Sequence, residues 1–219
     1  MSPTVHVPLD LLSAHAAGTA PEPVSLAVAC HLALCAACRA QAAALEAVGG
    51  ALLDDGPSVP MAGGALDAVL AQLDAPAPAP AARPQVPAWA QALGTIPGPL
   101  RPYLPDAPRW ERPVPGVRQV GLPLSMGGTP VRLVELRAGF EVPLHGHEGT
   151  ELNLVLRGGF DDLGSGETFL PGDLSVRGAE VEHGIRTHRD GPCTVLVVLE
   201  GRMQPRTLLG HVAAWVSGF

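Results

Sequence analysis

The chain has 219 residues, 47% of them hydrophobic, enough to build two small cores, and no apolar run reaches the ~18 residues that a membrane-spanning helix needs. Its net charge of −7 is unevenly placed: residues 1–75 carry one basic residue, Arg39, against seven acidic ones, whereas the remainder is nearly balanced. Affinity for nucleic acid requires Lys or Arg to displace counterions from phosphates, so this charge excludes direct nucleic-acid binding by the N-terminal third and suits a basic protein partner.

The start of the chain, Met-Ser-Pro-Thr-Val-His, has neither a basic stretch nor an apolar signal core, and the expectation is a cytoplasmic protein. A first short helix is predicted over 8–17, ended by Gly18. Pro21 and Pro23 open a second, predicted to run to about Val48 and to be terminated by Gly49 and Gly50. A third covers 64–73, where Leu66, Val69, Leu70 and Leu73 fall at i, i+3, i+4 and i+7. The alternating Ala-Pro run over 75–84 favours extended polyproline II and reads as a linker. A helical turn over 88–93, carrying Trp89, is expected to dock back on the first helices, and 97–115 is a proline-rich connection. From about 117 the pattern changes to strands: 131–137 and 151–157 alternate, 193–200 is almost continuously apolar, and glycine-rich turns separate them. Such spacing predicts a β-barrel or jelly roll, followed by a small helix over 208–216.

Three of the four cysteines, Cys30, Cys35 and Cys38, lie close together, and Cys193 stands alone. In a reducing compartment such a cluster reads as a metal site rather than a disulfide framework. His31, Cys35 and Cys38 form HxxxCxxC. On one continuous helix these positions lie within about 60° of one another, so a single face presents an imidazole and two thiolates. These are ligands that Zn2+ takes in tetrahedral sites. His6, just before the first helix, is the preferred fourth ligand; Cys30 and His15 are the alternatives. A redox CxxC usually opens a helix that follows a strand, and no strand is predicted here. Cysteines buried as small hydrophobes are the remaining reading.

A second constellation begins at Gly139 and ends at Gly158, and reads G(x)5HxH(x)3E(x)6G. His145 and His147 flank Gly146, so on a strand both side chains face one side. Glu151 opens the next strand and can point back at them. Gly166, Pro171 and Gly172 supply a turn, and His183 follows as a fourth ligand. This pattern resembles the two cupin motifs. Three imidazoles and a carboxylate suit Zn, Mn, Fe or Ni.

The two constellations in this order make the chain similar to the ChrR-type zinc anti-sigma factors. The connector residues Tyr103, Trp110 and Arg118, the Phe160-Asp161-Asp162 turn and the Pro171-Gly172-Asp173 turn add to the likeness. The resemblance implies two domains: an all-α zinc-binding helical domain over 1–95, linker included, and an all-β cupin barrel over 96–219. It implies structural zinc on His6, His31, Cys35 and Cys38, with 89–93 in a fourth helix. It implies a second divalent metal, zinc by preference, on His145, His147, Glu151 and His183. The implied function is to sequester an extracytoplasmic-function sigma factor and release it under oxidative stress of the singlet-oxygen type. A catalytic role is not expected, nor is a membrane partner, whereas self-association through the barrel fits the habit of cupins. The competing reading is a dioxygenase-like cupin enzyme with an N-terminal zinc regulatory module, for which Glu148 and Arg157 are candidate pocket residues, although exposed solvation is the role expected of each.

Overall fold

The computed structural model describes residues 2–73 and 84–206. The Ala-Pro run, except for Pro84, and the helix expected over 208–216 lie outside these residues.

Four helices come first: α1 (Leu9–Ala16), α2 (Glu22–Leu34), α3 (Ala36–Asp54) and α4 (Ala65–Leu73). Gly18, at φ +68°, ends the first helix in a conformation that costs other residues more. Pro23 sits in the first turn of α2, where an absent N–H leaves no bond unmade, and Glu22 beside it complements the helix dipole. The helix predicted from Pro21 to Val48 is in fact two. It breaks at Cys35, whose backbone is extended at φ −109° and ψ 109°. Cys35 then caps α3, its Sγ accepting from the Cys38 N–H at 3.5 Å. Gly49 and Gly50 do not stop α3, which continues to Asp54. Glycine weakens a helix by only about 1 kcal/mol, which the surrounding alanines and leucines tolerate.

The 88–93 segment forms a short α5 (Ala88–Gln91) followed by a 3-10 turn at Gly98–Tyr103. Around α5 the hydrogen bonds run to the barrel, where Arg157 Nη1 donates to the Ala92 carbonyl at 2.7 Å and Thr95 N to the Leu156 carbonyl at 3.1 Å, whereas Tyr103 of the 3-10 turn donates to Glu22 Oε1 of α2 at 2.8 Å. Trp89 meets Trp110 edge-on at 5.8 Å and donates from Nε1 to the Pro105 carbonyl.

Ten strands follow among the described residues: β1 (Val117–Met126), β2 (Thr129–Leu136), β3 (Glu141–His147), β4 (Glu151–Arg157), β5 (Phe160–Asp162), β6 (Thr168–Phe169), β7 (Leu174–Arg177), β8 (His183–Thr187), β9 (Cys193–Leu199) and β10 (Met203–Pro205). They build two antiparallel sheets, ordered β1-β2-β9-β4-β7 and β10-β3-β8-β5-β6. Val134, Val155, Val195 and Val197 of the first sheet share a core with Phe160, Phe169 and Ile185 of the second, so the sheets pack face to face.

The apolar character of β4 and β9 follows from their two covered faces. Successive residues of a strand point to opposite sides. On β4, Leu152, Leu154 and Leu156 join a core with Leu12, Val24, Ala27 and Val28 of the helices, whereas Val155 faces the barrel interior. The helical part thus buries the outer face of the first sheet. Each leucine buried in this way contributes about 1.5–3 kcal/mol.

Two candidate metal centres, one between helices and one inside the barrel

The break at Cys35 is what assembles the first centre. It turns the Cys35 thiol toward the start of α3, where Cys38 points the same way, while His31 closes α2. His6 arrives from the segment before α1. His31 Nε2 lies 3.3 Å from Cys38 Sγ, and His6 Nδ1 lies 3.4 Å from Cys35 Sγ and 3.5 Å from Cys38 Sγ. Zn–S bonds of about 2.3 Å and Zn–N bonds of about 2.0–2.1 Å in a tetrahedron put neighbouring ligand atoms about 3.5 Å apart. The four side chains therefore fit a tetrahedral Zn2+ site, and one ligand atom from each lies within 4.8 Å of the others. His31, Cys35 and Cys38 are buried; His6 is exposed. Burial holds the His31 imidazole below its usual range, which keeps it neutral and able to ligate. Burial raises the Cys38 thiol, and a bound cation would favour loss of its proton.

The other two candidates for the fourth position lie elsewhere. Cys30 is fully buried in the core shared with the sheet, and burial pushes its thiol up to about 12. His15 Nδ1 pairs with Ser25 Oγ at 2.7 Å.

The second centre lies between the two sheets. β3 supplies His145 and His147, β4 opens with Glu151, and β8 opens with His183; all four are buried. His183 Nε2 stands 3.2 Å from His147 Nε2 and 3.1 Å from Glu151 Oε2, and His147 Nε2 stands 3.5 Å from the same oxygen. His145 Nε2 is buried with no hydrogen-bond partner among the described residues. A buried polar atom of this kind is costly unless something else binds it. Three imidazole nitrogens and a carboxylate oxygen converging at such spacings fit a first-row divalent ion.

Partners behind the ligands fix their orientation. Pro143 O accepts from His145 Nδ1 at 2.9 Å, Asp162 Oδ2 from His183 Nδ1 at 3.1 Å, and Asn153 Nδ2 donates to Glu151 Oε2 at 2.8 Å. These bonds present Nε2 of His145 and His183 to the centre. Burial opposes the Glu151 charge, yet the His183 hydrogen bond and the nearby imidazoles hold its carboxyl down to about 2. Burial lowers His147 to about 4. For His183 burial acts the same way, but bonding to Glu151 and the charges of Glu151 and Asp162 outweigh it and raise the group. Asp162 is itself held below the usual carboxylate range: burial opposes its charge, and the Ser165 N–H, Arg177 and the Gly164 N–H offset that.

A cavity of about 150 Å³ opens beside these ligands, walled by Val134, Phe140, Val142, Ile185, Val195 and Val197. Glu148 and Arg157 do not line it. Glu148 Oε2 accepts from the Arg202 N–H at 3.0 Å, and Arg157 holds the Ala92 carbonyl. Both lie on the exposed side, as expected of them: residue 148 lies past the end of β3 and Arg157 ends β4 away from Glu151. Sequence reasoning missed Asp162 and Asn153 as supports; Asn153 carries a signal, as a polar residue two positions from Glu151 on the same face of a strand.

No protein-family model matches the chain. It is 41% identical over 212 residues to the anti-sigma-E factor ChrR of Cereibacter sphaeroides, covering 93% of each chain. It also matches the crystal structure of Rhodobacter sphaeroides SigE in complex with the anti-sigma ChrR, with a TM-score of 0.71, 39% identity, and coverage of 90% of this chain and 98% of that one. Both likenesses span the helices and the barrel together. The chain belongs to the family of the anti-sigma factor ChrR.

Proposed function

We propose that this protein is an anti-sigma factor that sequesters an extracytoplasmic-function sigma factor through its helical zinc domain. In this reading it releases that partner under oxidative stress of the singlet-oxygen type, sensed through the metal in the barrel. His6, His31, Cys35 and Cys38 hold structural zinc, and His145, His147, Glu151 and His183 hold a second divalent ion, zinc by preference. The functional boundary falls near residues 95 and 96.

The observation that carries the reading is an uncovered apolar face. On α4, Leu66, Val69, Leu70 and Leu73 are all exposed, as are Val48, Leu52, Leu53, Val59 and Met61 around the end of α3. The helix is amphipathic, yet its apolar stripe is left largely exposed among the described residues. Large exposed apolar surfaces mark protein interaction sites, and the acidic charge around this one suits a basic partner. Co-expression with each extracytoplasmic-function sigma factor of the same genome, followed by pull-down, is expected to give a one-to-one complex with one of them. Failure of any such sigma factor to co-purify would contradict the reading.

One observation favours a second reading, a dioxygenase-like cupin enzyme carrying a regulatory zinc module. The apolar cavity beside the barrel ligands has room for a small molecule. Oxygen uptake by the iron-loaded protein with candidate substrates, without a sigma partner, would support it.

A further inference from the structure

Two of the four ligands at the helical centre are positioned by the barrel. The turn at 170–173 joins β6 to β7. The Gly172 carbonyl accepts a hydrogen bond from His31 Nδ1 at 2.7 Å, which leaves Nε2 directed at Cys38 Sγ. Asp173, which is fully buried, takes the backbone of the segment that leads into His6. Its Oδ1 accepts from Thr4 N at 2.6 Å and from Val5 N at 2.9 Å, while Oδ2 accepts from Leu170 N at 2.8 Å. Gly172 has φ +97°, and a Cβ there would lie 2.7 Å from Pro3 Cγ. The close approach of the N-terminal segment therefore requires glycine at this position.

The same turn is bonded to the strand that opens with Glu151. Gly172 N donates to the Val155 carbonyl at 2.8 Å, and Val155 N to the Asp173 carbonyl at 3.1 Å. Glu151 and Val155 share β4. One turn thus touches His31, the segment carrying His6, and a strand that supplies a ligand to the barrel centre.

We propose that the 170–173 turn is the coupling element between the two metal centres, with Asp173 and the Gly172 carbonyl as positioning groups for His6 and His31. A displacement of the turn would loosen the two imidazoles without touching either thiol. The inference rests on the reading of His6, His31, Cys35 and Cys38 as a zinc site, and not on sigma binding.

The test is zinc release from the full chain to a chromophoric chelator. The phase belonging to the helical centre is identified as the one missing in Cys38→Ser. Supporting partners of metal-bound histidines typically affect affinity by about 10–100-fold. Asp173→Ala is expected to accelerate that phase about tenfold and to lower the melting temperature, since it strips the acceptor from three backbone N–H groups; prior removal of the barrel metal should then change that phase less than it does in the wild type. Asp173→Asn keeps one oxygen acceptor and should fall between. Thr4→Pro removes the Thr4 N–H from an exposed position outside the barrel, and should accelerate the same phase even if Asp173→Ala fails to fold. Wild-type release rates in Thr4→Pro and in the Asp173 variants would overturn the proposal while leaving the zinc reading intact. A wild-type chain that binds only one zinc, in the barrel, would overturn both.

Discussion

The two candidate centres use similar ligands in opposite settings. The barrel centre is enclosed: its four ligands are buried and come from strands held by two sheets, with Asp162, Asn153 and the Pro143 carbonyl behind them. The helical centre is built where a helix breaks, joins a segment from outside the helices, and leaves His6 exposed. The barrel site has an apolar cavity beside it. With zinc bound, the helical site would act as a clasp joining α2, α3 and the segment before α1. Losing the helical ion should therefore disturb how the helices meet directly, whereas losing the barrel ion should reach them only through the 170–173 turn.

The largest effect is expected from breaking the clasp. His31→Ala or Cys38→Ser should abolish zinc retention at the helical centre and sigma binding with it, as read by metal analysis and pull-down. His147→Ala should remove the barrel metal while sigma binding persists, with a blunted release under stress. A variant that lost sigma binding would show that the barrel is not separable in this way. Asp162→Ala leaves His183 without its carboxylate partner and should weaken metal binding in the barrel by about 10–100-fold, measured by chelator competition.

The smallest effect concerns pH. In the metal-free chain His147 stays neutral to about 4, against an ordinary value of 6.5. Between these values the unfolded chain binds a proton that the folded chain refuses. Its contribution is therefore present above about pH 6.5 and lost as pH falls toward 4, by at most about 3 kcal/mol. The opposite shift of His183 reduces the net change. Urea unfolding of metal-stripped protein at pH 7 and pH 5 checks the sign, and greater stability at pH 5 would contradict it.

The barrel was more legible in the sequence than the helices. The spacing of His145, His147 and Glu151 reports strand geometry directly, because a strand alternates and each ligand falls at or near a strand end. The grouping of His6, His31, Cys35 and Cys38 was also legible, but it arises in a different way from the one expected. A continuous helix was expected to align His31, Cys35 and Cys38, whereas an extended residue at Cys35 does so. Nothing in the run of alanines and leucines around Cys35 marks a break, since helix propensity favours continuation. The role of Asp173 was hidden because its bonds cross 168 and 169 positions of sequence to reach Val5 and Thr4. The amphipathic pattern of α4 was read correctly as a helix, but periodicity does not say whether the partner is this chain or another.

In the proposed reading the helical zinc centre carries sigma inhibition and the barrel does not. The decisive measurement is transcription by RNA polymerase and its sigma factor with added wild type, His31→Ala or His147→Ala. Inhibition is expected from wild type and His147→Ala and none from His31→Ala. Full inhibition by His31→Ala would contradict that reading.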